Sequence, residues 1–173
     1  MEPVHASDPT SVEPGRPTAR RGVPQGFADF YRSTQPAMVR LAYLLTGSPE
    51  VAADLTQDAF VRLHPRWGSV EEPTAYMRRS VVNACRSHHR RAFLHRRRAP
   101  VAFAGLGAPV VIDADELFDA LNHLSPRERA AVVLRFYEDL PERDVALIIG
   151  CKPGTVGSLV HRALEHLRQE IEP

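Results

Sequence analysis

"PERDVALIIGCKPGTVGSLVHRALEHLR", residues 141–168, reads as two helices joined by a tight turn, and that reading decides the fold class. In the first helix Val145, Ala146 and Ile149 recur at helical spacing, and Ala146 is small enough to let a partner helix approach. Gly150 supplies the positive φ that so short a turn demands, and Pro153 suits the first turn of the next helix. There, Val156, Val160, Ala163, Leu164 and Leu167 form the inner stripe. Thr155, Ser158, Leu159 and Arg162 are left on the outer face, where a major groove would meet them. Two helices joined by glycine are also common in plain cores, so the pattern alone leaves both a DNA reader and a packing pair open. Three features fit a DNA reader badly. Lys152 stands where a capping Ser is expected, Gly157 weakens the helix interior, and Leu159 puts an apolar side chain on a face that should be wet.

Outward from this pair, the rest of the chain is also helical. "LSPRERAAVVLRFYEDL" starts a helix at Pro126, with Ser125 as cap and Glu128 closing a capping box, and Val132, Val133, Phe136 and Tyr137 as its apolar face. Asp115 to Leu124 is a short helix before it. Nearer the N-terminus, Phe27, Phe30, Tyr31, Met38, Leu41, Ala42 and Leu45 mark a helix that Pro36 should break or kink. Ser48 caps the next helix, whose buried stripe is Ala52, Leu55, Ala59, Phe60 and Leu63. "HPRWGSVEEP" reads as a loop, and Tyr76 to about Arg91 as a third helix. "APVAFAGLGAP" has neither period nor charge and reads as a linker. The expected architecture is all-α: two small helical domains, 26–98 and 115–173, joined by a flexible linker over 99–114. Residues 1–25, rich in Pro, Ser, Thr and Arg, are expected to be a disordered tail.

Charge separates the two halves. The net charge of the 173 residues is +1, but residues 25–98 hold twelve Arg against six acids, and residues 115–173 hold seven cations against eleven acids. A basic half and an acidic half suggest different partners. Two cysteines without a Cys-rich framework suit a reducing cytoplasm, and no apolar run approaches a membrane span. The eight His show no metal-ligand spacing, and no phosphate loop, nucleophile motif or paired carboxylates appear, so neither an enzyme nor a cofactor is expected.

On the third helix Arg79, Asn83, Arg86 and Arg90 share one face, opposite Met77, Val81 and Cys85. An arginine stripe with one amide suits phosphate neutralisation plus the reading of a base edge. On the second helix Asp54, Gln57 and Asp58 form a polar face, either simply solvated or turned to a basic partner.

Five segments, "FADFYRSTQPAMVRLAYLLTG", "AADLTQDAFVRL", "AYMRRSVVNACRSHHRR", "LSPRERAAVVLRFYEDL" and "GCKPGTVGSLVHRALEHLR", occur in the order found in extracytoplasmic-function (ECF) sigma factors. The chain resembles the actinobacterial branch of that family over about residues 26–169. The resemblance implies an alternative sigma factor with core RNA polymerase and promoter DNA as partners, and an anti-sigma factor as a possible third. It implies that Asp54, Gln57 and Asp58 dock on core polymerase. Trp67, Tyr76, Arg79, Asn83, Arg86 and Arg90 would melt and read the minus-ten element. Lys152, Thr155, Ser158, His161 and Arg162 would meet the minus-thirty-five duplex. The chain departs from the family at Ala53, usually Glu, at Lys152, usually Ser or Thr, and at Gly157, usually Lys. It also carries His88-His89 where close relatives have an aromatic pair. An isolated helix-turn-helix regulator, or a sigma-like protein acting mainly through protein contacts, are the alternative readings.

Overall fold

The computed structural model of the protein describes residues 26–98 and 115–171; the expected tail and linker fall outside them. Among the described residues there are helices and no strand. They are α1 (Phe27–Thr46), α2 (Pro49–Leu63), a 3-10 turn (His64–Ser69), α3 (Pro73–Arg98), α4 (Asp115–His123), α5 (Pro126–Val132), α6 (Glu142–Ile149) and α7 (Pro153–Ile171). A π-helical turn over Val133–Tyr137 continues α5.

The capping chemistry follows the sequence. The Ser48 hydroxyl accepts from the Val51 amide at 3.3 Å, with Pro49 in the first turn of α2. At α5 the box is complete: the Glu128 amide donates to Ser125 Oγ at 3.4 Å, and the Ser125 amide donates to Glu128 Oε2 at 3.2 Å. Gly150 adopts φ 66°, as the turn between α6 and α7 requires. Three local expectations differ. α1 continues through Pro36, because Pro36 and Arg32, whose carbonyl loses its helix partner, are both exposed to water. α3 runs to Arg98 rather than about Arg91. After Val133 the π turn rotates the chain, so Phe136 and Tyr137 point outward while Val132 and Val133 stay buried.

α1, α2 and α3 pack around Met38, Leu41, Leu63, Met77 and Val81, and rings close one end, with Phe27 edge-on to Phe60 and Trp67. This core does not stop at the third helix. Val82 and Cys85 of α3 belong to the same continuous cluster as Leu134, Val145, Ile149 and Leu159. The two halves are therefore packed on one another. A smaller cluster, with Leu121, Leu124, Val132, Ala163 and Leu167, fastens α4 and α5 to the far part of α7.

The junction has its own polar fastening. The α1 C-terminus has no basic residue in its last turn, yet the Leu45 carbonyl accepts two side chains from elsewhere. His89 Nε2 of α3 reaches it at 2.8 Å and Arg129 Nη1 of α5 at 3.3 Å. A cation and a ring donor are thus brought to the negative end of a helix. Gly47 ends α1 at φ 76°, and a Cβ there would come within 2.7 Å of the Asn122 side-chain oxygen on α4. Tyr43 stacks on Phe118 at 4.6 Å, and Arg78 Nε meets Glu138 Oε2 at 2.6 Å.

Candidate nucleic-acid and polymerase interfaces

On α2, Asp54, Gln57 and Asp58 are all exposed, opposite the buried Ala52, Thr56, Ala59 and Phe60. They do not share one hollow. Gln57 borders a depression of about 330 Å³ with Tyr31, Phe60 and Val61, whereas Asp58 turns towards α3 and pairs with Arg62 at 3.8 Å. Val61 is 64% exposed, so an apolar side chain stands unburied beside the polar face.

On α3, Arg79, Asn83 and Arg90 are exposed, and Arg86 is half-buried. Tyr76 is half-buried and borders a groove of about 560 Å³ between α2 and α3, together with Asp58, Asn83 and Arg90. Trp67 is held differently. Its ring lies 5.0 Å from Phe30 and 5.4 Å from Phe27, so it anchors the 3-10 turn on α1.

On α7, Lys152, Thr155, Ser158, His161 and Arg162 are exposed. Leu159 is not. It is 4% exposed and part of the core shared with α3, whereas Leu164, expected inside, is 42% exposed. The buried stripe is Val156, Leu159, Ala163 and Leu167, shifted round the helix because α7 packs on more than α6. That explains the apolar residue on the supposedly wet face. Gly157 also faces protein: a Cβ there would sit 3.6 Å from Glu142 Oε1 of α6.

The structure brings together residues that the sequence placed in separate readers. Asn83, Arg86 and Arg90 of α3 face Thr155 and Arg162 of α7 across a cleft of about 780 Å³, which Arg127 of α5 also borders. Burial, then the charges of Arg127 and Arg90, lower the Arg86 pKa, with a smaller opposing effect of Cys151. Burial alone lowers that of Arg129, whose Nε has no partner. The sequence reading missed Arg78, Arg127, Arg129 and Glu138, and took His89 only as standing where relatives have an aromatic. The signals were present: Arg129 lies three and four residues before Val132 and Val133, within an apolar stripe, and Val82 beside Val81 widens the apolar arc of α3.

With the exposed faces defined, two family models match the chain, Sigma-70 region 2 over residues 30–93 and Sigma-70, region 4 over residues 114–167. The RNA polymerase sigma-E factor of Streptomyces avermitilis is 36% identical, covering 84% of this chain and 85% of that protein. The chain belongs to the ECF sigma factors of the sigma-70 family. The ECF sigma factor SigE of Mycolicibacterium smegmatis is 30% identical, over 96% of this chain and 69% of that protein. Among solved structures, the sigma factor RpoE of Bartonella quintana matches with a TM-score of 0.73 at 25% identity, over 84% of this chain and 96% of that one.

As a sigma factor the protein binds core RNA polymerase and promoter DNA, directs initiation, and is not an enzyme. An isolated helix-turn-helix regulator does not account for the match over residues 30–93. No described helix is long and apolar enough to cross a membrane.

Proposed function

We propose that this alternative sigma factor divides its work among three exposed faces, acting in the cytoplasm. Region 2 spans 26–98 and region 4 spans 115–173, with 99–114 as connector and 1–25 as an extension. Asp54, Gln57 and Asp58 of α2 dock on core polymerase. Arg79, Asn83, Arg86 and Arg90 of α3 act on the minus-ten element, beside Tyr76 and the turn that Trp67 anchors. Lys152, Thr155, Ser158, His161 and Arg162 meet the minus-thirty-five duplex. One observation carries this reading. α3 keeps Arg79, Asn83 and Arg90 exposed on one side while Met77, Val81 and Cys85 are buried on the other, which gives a basic face with a single amide suited to nucleic acid. The Bartonella quintana protein is solved with the anti-sigma factor NepR, which supports an anti-sigma partner for this chain as well.

Reconstituted transcription on genomic fragments tests the reading. Specific start sites that require both core polymerase and this chain are expected. Asp54→Arg is expected to weaken competition for core polymerase while leaving the fold intact, because Asp54 is exposed. Equal competition by the variant and the parent protein would remove Asp54 from the docking face.

A further inference from the structure

We propose that the cleft between α3 and the starts of α5 and α7 binds a small compound carrying adjacent phosphate groups, either free or on a nucleoside. Four arginines from three helices border it: Arg86 and Arg90 of α3, Arg127 of α5 and Arg162 of α7. Arg162 has a carboxylate, Glu128 Oε1, at 3.4 Å. Among the described residues no ion pair joins Arg86, Arg90 or Arg127 to an acid. Cations gathered close together without counter-charge repel one another. Burial first, and then the charges of Arg127 and Arg90, lower the Arg86 pKa.

A ligand with several closely spaced anionic oxygens turns the repulsion into charge-assisted, two-pronged hydrogen bonds, for which the guanidinium fork is shaped. A single acidic side chain has too little charge to serve three cations. At about 780 Å³ the cleft lies within the range of small-ligand sites. Thr155 adds a hydroxyl to its wall.

Such a ligand would bridge the two halves, and the bridge has a consequence. The minus-ten and minus-thirty-five elements lie about 25 base pairs apart, or roughly 85 Å of duplex. The halves cannot stay packed while each reads its own element, so the ligand holds a state in which Asn83 faces α7 instead of promoter. This consequence rests on the reading of α3 given above; the binding itself does not.

Calorimetric titration of the full chain with inorganic tripolyphosphate, and separately with ATP, tests the site at low and moderate salt. Saturable binding is expected, weakened about tenfold in Arg127→Ala, since one charge-assisted bond is lost. Arg127 is exposed and outside the proposed promoter and polymerase faces, so the variant should fold. Arg168→Ala, at the far end of α7, is the charge control and should bind like the parent. No binding, or equal weakening by both variants, overturns the site as mere attraction to a basic surface. Tighter binding of ATP than tripolyphosphate assigns the ligand to a nucleoside polyphosphate, and the reverse assigns it to free polyphosphate. Scattering should show the liganded chain compact and core polymerase binding reduced. Arg127-dependent binding without that reduction keeps the site and sinks the consequence for initiation.

Discussion

Two cysteines occupy different environments, and their chemistry should separate accordingly. Burial pushes the Cys85 thiol up to about 12, against a slight lowering by its backbone hydrogen bond, while Cys151 is only half-buried. A thiol reagent at pH 8 should modify Cys151 quickly and Cys85 only after denaturation, because the thiolate is the reactive form. Equal fast rates would mean that α3 opens readily at its centre. The same burial links to stability. An unfolded chain releases this proton near 9.0, whereas the folded chain holds it to about 12. The folded state therefore binds more protons in that window, so the contribution is full below 9 and is lost as pH rises through it. Gly157 is the second residue whose setting decides an outcome. The ECF family usually has Lys at this position, and here Glu142 Oε1 stands 3.6 Å from where a Cβ would sit. Gly157→Ala should stabilise the chain by about 1 kcal/mol through helix propensity. Gly157→Lys should match it or add a few tenths through pairing with Glu142. Both should bind minus-thirty-five duplex with the same salt dependence. A salt slope steeper by roughly 0.9 for the Lys variant alone would show that the side chain reaches phosphate instead.

Among the elements, α3 presents an exposed basic face and a buried face. Its exposed side should distinguish phosphate from base. Arg90→Ala should weaken all promoters alike and lower the salt slope by ~0.7 on melted DNA, whereas Asn83→Ala should change which minus-ten sequences are preferred. An unaltered preference profile for Asn83→Ala, measured on a randomised promoter pool, would leave the amide without a reading role. The other side shows where sequence reasoning reaches its limit. Met77, Val81 and Cys85 announced one buried face, and the caps at Ser48 and Ser125 announced where helices begin, because those interactions are local. The second buried arc, through Val82, was audible only as an extra valine, because what covers it lies about fifty or more residues further along the chain. α7 makes the same point. Leu159 and Leu164 lie on opposite edges of the Val156–Ala163–Leu167 stripe, and each is an equally good core residue by spacing. α3 decides between them, and no pattern within α7 contains α3. His89 is similar: read alone it replaces an aromatic, and in the structure it donates to the end of α1.

At the scale of the whole molecule, the two halves form one body in this structure, whereas the promoter contacts proposed for them require them to stand far apart. The 99–114 stretch can reach at most about 60 Å when fully extended, and any separation of the halves requires giving up the α3 junction. The apolar part of that junction resists parting in water, and the Arg78–Glu138 pair is a discrete fastening. Its side chains are 21% and 10% exposed, and its N···O distance is 2.6 Å. A pair so shielded loses about 1.5–3 kcal/mol when one partner goes, since the other charge is left desolvated. Arg78→Glu should therefore loosen region 4 from region 2, raising the radius of gyration measured by small-angle scattering. Glu138→Arg should do the same, and the double exchange should recover part of the loss. Because the pair joins α3 to the π turn that follows α5, a coupling energy in this cycle reports contact between the halves and not stability within either. Loosened variants should also engage core polymerase more readily, having less junction to break. Additive single effects with an unchanged radius would show that the pair does not hold the halves together, leaving the apolar seam of Val82, Cys85 and Leu159 and the contacts on the Leu45 carbonyl to resist opening.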